Sequence, residues 1–177
     1  MFGFISLRPK CLVLALVAAS FATGAAAETR PLLGSFAGTT HDSGLDLNGD
    51  GQVASVPEST GQSSVGKIHN QGVVEFHPFD GVSFCGATHI ALSYRYFEGS
   101  HQTADGSAFF TSLRTGTVCF DFATAHYTID LTVDIVGGRG RFAGASGFLT
   151  YRIHSDKPVL NGFSAFSGTF EGVLTTP

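Results

Sequence analysis

Charge is scarce in this 177-residue sequence: 14% of the residues are Asp, Glu, Lys or Arg, and the formal charge is −4. So little charge beside 43% hydrophobic residues and 17 phenylalanines excludes a disordered tail, which needs the opposite balance. The negative sign argues against a nucleic-acid binder, whose footprint is basic. Sustained helical spacing of apolar residues is also missing after residue 27, so there are no helices to cover a parallel sheet. Familiar catalytic motifs are absent: there is no G-x-S-x-G elbow, no P-loop and no H-E-x-x-H. The glycine-rich turn at Gly137 opens a strand where a dinucleotide site needs a helix. The length fits one domain large enough to bury a core.

Residues 1–27 read as a secretory signal. Arg8 and Lys10 form a basic start, Leu12 to Ala22 is an apolar run too short to span a bilayer, and Ala25-Ala26-Ala27 offers a small-residue cleavage site before Glu28. The expected mature domain is therefore 28–177, in the periplasm or outside the cell. The signal removes two of the ten basic residues and none of the fourteen acidic ones, which shifts the formal charge from −4 to −6. Of three cysteines only Cys85 and Cys119 remain. An even count in an exported protein makes one disulfide the default, closing a loop of about 34 residues and stabilising by about 3 kcal/mol in the chain-entropy model. Two buried free thiols are the alternative.

What the mature chain does have is a period of two. Tyr127, Ile129, Leu131, Val133 and Ile135 alternate with Thr128, Asp130, Thr132 and Asp134, which is a strand with one wet face. Similar runs occur at 35–40, 63–69, 73–77, 88–97, 108–113, 117–122, 148–154 and 163–173, punctuated by Gly, Asn, Asp and Pro. Eight or nine such strands predict an all-β, antiparallel barrel or sandwich, and closure into a barrel removes exposed edges. Glycines inside the last two runs suit bends in a tightly curved sheet.

The segment Ile135-Val-Gly-Gly-Arg-Gly-Arg-Phe-Ala-Gly-Ala-Ser-Gly147 resembles the strand-turn-strand signature of the allene oxide cyclase and dirigent barrels and of bacterial exported proteins that share the barrel. Weaker similarity runs from about Gly34 to the Phe166-Ser-Gly-Thr-Phe-Glu-Gly172 strand. The resemblance implies an eight-stranded closed barrel with an apolar interior, often trimeric, in families that steer cyclisation or coupling of reactive apolar intermediates. It implies a small apolar ligand and, if there is catalysis, a cofactor-independent cyclase, isomerase or stereochemical guide. Fold alone does not carry that activity across. No catalytic carboxylate of the cyclases aligns with a residue here, and the Asp-rich loop and the two cysteines depart from the plant pattern.

Two groups of residues are candidates for chemistry. Asp46-Leu-Asn48-Gly-Asp50-Gly51-Gln52 matches the first half of a calcium loop, with oxygen ligands at positions 1, 3 and 5, glycine at 6 and the Gln52 carbonyl at 7. Position 12, which should be a bidentate Glu, is Pro57. The other reading is a turn whose side chains bond their own backbone. On the run 88–97, Arg95 shares a face with His89, Ala91, Ser93 and Phe97; it would orient a ligand if that face points inward, or lie outside paired with Glu75. Glu75, Arg95 and Tyr96 are accordingly the candidate catalytic or polar-handle residues. Glu75 and His77 share a strand face, but two groups are too few for a metal site, so His69, His89, His126 and His154 read as surface or hydrogen-bonded histidines. Asp130 and Asp134 lie about 13 Å apart along one strand, too far for a paired-carboxylate mechanism. Whether the phenylalanines fill the barrel or line a pocket decides between a structural module and a binder.

Overall fold

A computed structural model describes residues 26–77 and 83–177. The predicted signal 1–27 lies almost wholly outside the described residues. Nine strands form: β1 Glu28–Asp42, β2 Ser55–Ser63, β3 Gly66–Phe76, β4 Ser83–Gly86, β5 His89–Thr103, β6 Ala108–Asp121, β7 His126–Arg139, β8 Ser146–Ser155 and β9 Ser164–Thr176. Every pairing is antiparallel, in the order β3-β2-β1-β9-β8-β7-β6-β5-β4, and an additional β3–β5 pairing closes the ring. The result is an eight-stranded closed barrel plus β4. That short strand continues the track of β3 along β5: Phe76 pairs with Tyr94, and Ser83 with Ala91. The only helical turn among the described residues is a short 3-10 piece, Gly140–Phe142.

Two runs read separately in the sequence, 108–113 and 117–122, are one strand, β6, kinked by register shifts against β7 at Phe110/Thr111 and Leu113/Thr115. β2 was not expected at all. Its inward positions are Ser55, Pro57 and Ser59, so no apolar alternation marks it. The glycine-rich hairpin also differs from expectation: Gly137 and Gly138 belong to the end of β7, and the chain reverses over residues 140–145. Gly138 is needed for close approach, since a side chain there would strike the Phe142 and Ala108 carbonyls. Gly147, at φ +133°, lets β8 start against the Val173 carbonyl with no room for a Cβ.

The barrel is solid at one end. Phe142, carried back under the strands by the 140–145 turn, is fully buried and meets Phe109 edge to face at 5.5 Å. Leu32, Val133, Leu149 and Leu174 are also fully buried around them. Arg141 holds the turn down: its guanidinium donates to the Val65 carbonyl at 2.7 Å, lies 3.5 Å from Asp105 and covers the Phe142 ring at 4.9 Å. At the opposite end the 43–54, 122–125 and 156–163 loops surround an open mouth.

A disulfide joins Cys85 on β4 to Cys119 on β6, with Cα atoms 6.0 Å apart, and so ties the interrupted β3–β4 track across β5. Such a bond suits an oxidising compartment. No helix among the described residues is long and apolar enough to cross a membrane.

Candidate ligand cavity and outer-wall cluster

The open half of the barrel encloses a cavity of about 250 Å³. Its walls are built by the period of two: β7 contributes Tyr127, Ile129 and Leu131, β8 Tyr151 and Ile153, β3 Val74 and Phe76, and β6 Val118 and Phe120. Phe36 on β1 packs against Tyr151, Phe166 and Phe170 at 5.9 to 6.2 Å, an aromatic band around the barrel's waist. The phenylalanines therefore serve both roles that the sequence left open: Phe109 and Phe142 fill one end, and Phe36, Phe76, Phe97, Phe120 and Phe166 line the other.

At the inner limit of the cavity sits a buried polar chain. His101, 3% exposed, stacks on Phe109 at 4.5 Å. Its Nδ1–H donates to Asn70 Oδ1 at 2.8 Å, and Asn70 in turn donates its side-chain amide to Ser59 at 3.0 Å. That leaves Nε2 as acceptor, within reach of the Thr111 and Tyr151 hydroxyls at 3.1 and 3.2 Å. Burial with no opposing carboxylate pushes the imidazole down to about 3, so it is neutral, and burial pushes the Tyr151 hydroxyl up. Sequence reasoning missed His101. The signal was hidden because the face of β5 changes midway: Leu92 and Tyr94 point inward, then Phe97 and His101 do. A bulge causes the change, with Tyr94 opposite Phe76, Tyr96 opposite Glu75 and Arg95 the extra residue between them.

Arg95 takes the second of its two expected places, outside and near Glu75, because Leu92 and Tyr94 hold the inward face of this stretch. None of Glu75, Arg95 and Tyr96 lines the cavity; all three lie together on the outer wall where β3 meets β5. The Asp46 loop, which joins β1 to β2, folds over the same place. Arg95 Nη1 donates to Asp50 Oδ2 at 2.7 Å, and its Nε lies 3.9 Å from Glu75 Oε1. The Asn48 side-chain amide donates to Glu75 Oε1. Glu75 is only 1% exposed although it faces away from the barrel interior. Tyr96 is partly exposed, and its bond to Glu98 pushes its hydroxyl up.

Within the loop, Asp46 accepts backbone N–H groups from Gly51 at 2.8 Å and Gly49 at 2.7 Å, with longer bonds from Asn48 and Asp50. Those bonds, led by that of Gly51, hold its carboxyl below the ordinary range. Asn48 Oδ1 accepts the Asp50 N–H and Asp50 Oδ1 the Gln52 N–H, each at 2.9 Å. Three of the histidines bond separate partners: His69 meets Glu58 at 2.8 Å, His126 meets Ser155 and His154 meets Ser167. Asp134 pairs with Arg114 on the outer face.

No family model matches the sequence, and no curated protein matches it. Among solved structures, the chain is similar to a pterocarpan synthase dirigent protein, with 12% identity over 85% of this chain and 86% of that one and a TM-score of 0.45.

Proposed function

We propose that this chain is an exported barrel protein that binds a small, neutral, largely apolar molecule in the open half of the barrel. The observation that carries the reading is the cavity of about 250 Å³ walled mostly by aromatic and aliphatic side chains, with hydroxyls and amides among them and no Lys or Arg among the described lining residues. Among the described lining residues the one formal charge is Asp42, on the β1 end at the mouth. A carboxylate ligand would find no cation to pair with and would lose its hydration on entry. A neutral acceptor is better matched: the Thr40 hydroxyl lies in the wall, buried and without a hydrogen-bond partner among the described residues. The export signal read in residues 1–27 and the Cys85–Cys119 bond support an oxidising compartment.

Binding without catalysis is favoured over a cyclase or guide role by the state of the polar groups. Both nitrogens of His101 are engaged by neighbours, and Glu75 and Arg95 lie outside the cavity. The test is displacement of a neutral fluorescent dye, Nile red, from the oxidised protein by chain-matched alcohols, ketones and carboxylic acids. Neutral compounds should compete at least tenfold better than the acids. No dye binding at all would remove the reading, and preferential binding of acids would remove the neutral-ligand part of it.

A further inference from the structure

The Asp46 loop lacks the acidic residue that should close a calcium site from within its own sequence, and the fold brings one to it from another strand. We propose that Glu75 on β3 completes a calcium site on the outer wall with Asp46, Asn48, Asp50 and the Gln52 main-chain carbonyl. Two independent observations meet here. The loop is wound by the N–H bonds described above: three of them converge on Asp46 Oδ1, while Asp46 Oδ2, Asn48 Oδ1 and Asp50 Oδ1 each accept one and keep a second lone pair. Separately, Glu75 is a carboxylate almost wholly removed from water: its Oε1 reaches into the loop at Asn48, while its Oε2 has no hydrogen-bond partner among the described residues. A buried carboxylate with an unused oxygen is costly, and the nearest cation, Arg95 Nε, stands 3.9 Å off.

One oxygen each from Asp46, Asn48, Asp50 and Gln52 and two from Glu75 make six, the lower bound for calcium. The donors are all hard oxygens from two separate elements, a set that suits an adaptable calcium shell better than the strict small octahedron of magnesium. Among the described residues no three acidic, histidine or cysteine groups converge as they stand. The Arg95 guanidinium bridges Asp50 and Glu75, and the ion takes its place. Arg95 sits on a bulge with its side chain 40% exposed, so it can swing into solvent. Competition from this built-in cation sets the affinity in the weak range, on the order of 10⁻⁴–10⁻³ M, typical of extracellular modules.

The experiment is thermal unfolding and calorimetric titration of the oxidised protein with calcium chloride from 0.1 to 10 mM, against magnesium chloride at equal ionic strength. At ten times Kd, calcium should favour the folded state about tenfold and raise Tm. Arg95→Gln should bind calcium several-fold more tightly, because the competitor is gone and no proposed ligand is lost. Glu75→Gln should lose the calcium response. Should that variant not fold, Arg95→Gln decides alone. No response to 10 mM calcium in the wild type or in Arg95→Gln, an equal response to magnesium, or a full response in Glu75→Gln would each overturn the site.

Discussion

The two ends of this barrel are made from the same strands and the same residue types, yet one is solid and the other hollow. On β7, Val133 and Ile135 are buried in the closed end, while Tyr127 and Ile129, two turns of the same alternation away, line the cavity. What differs is what the connections bring. At the closed end the 140–145 turn delivers Phe142 into the barrel axis, under Phe109. At the open end none of the described loops, 43–54, 122–125 and 156–163, inserts a comparable ring, and β2 offers only Ser55, Pro57 and Ser59 to the interior. An alternating strand makes a wall in either case; a single inserted aromatic and the size of one strand's inward residues decide whether the wall encloses a core or a cavity.

The comparison predicts unequal costs for removing equal rings. Phe142→Ala should destabilise by about 3–5 kcal/mol, since the ring is fully enclosed and leaves a cavity behind. Phe120→Ala, on the half-open wall, should cost about 1 kcal/mol in urea unfolding and weaken dye binding instead. Equal losses at the two sites would break the distinction. Next in size is the disulfide, which fastens the open end: reduction, or Cys85→Ser with Cys119→Ser, should cost about 3 kcal/mol. Amide exchange should then rise along β4 and the paired start of β5, with the closed end still protected.

Much of this architecture is legible in the sequence. The alternation from Tyr127 to Ile135 located the wall of β7, the even cysteine count gave the Cys85–Cys119 bond, and Arg114–Asp134 accounts for the wet face. The candidate chemistry was less legible, for two physical reasons. Period-two reasoning puts Arg95, Phe97 and His101 on one face by parity, and the bulge at Arg95 breaks that parity, so Arg95 stays outward while Phe97 and His101 turn inward. The other reason is distance in sequence. Asp46–Gln52 and Glu75–Tyr96 looked like separate candidate sets, and only the β3–β5 pairing and the 43–54 loop put Asn48, Asp50, Glu75 and Arg95 in contact. Nothing local to residues 46–57 could have shown that.

The boundary between the two halves should report itself through pH. His101 is folded as the neutral imidazole with its proton affinity pushed down to about 3, against an ordinary value near 6.5. Between those values the unfolded chain takes up a proton that the folded chain does not, so stability falls as pH falls. The stabilisation is complete above about pH 7 and declines at about 1.4 kcal/mol per pH unit through the window from 6.5 downward. Denaturant titrations at pH 7, 6 and 5 would measure it. His101→Gln should be less stable at pH 7 but should flatten that part of the profile; an unchanged slope would show that the imidazole is not the group responsible.

The smallest stability effect gives the sharpest test of hollowness. Val118 and Val133 are both buried valines, on neighbouring strands, but only Val118 borders the cavity. Enlarging Val133 to Phe forces a ring into a packed end and should cost about 1–3 kcal/mol, the usual price of overpacking. Enlarging Val118 to Phe places the same ring in about 250 Å³ of open space, where the strain is relieved and apolar area is covered, so stability should stay within about 1 kcal/mol of wild type. The ligand, however, loses that space, and Nile red affinity should fall at least tenfold in Val118→Phe while Val133→Phe, wherever it remains folded, binds as before. If both substitutions are equally destabilising, the open end is packed in solution like the closed one, and a ligand has nowhere to go.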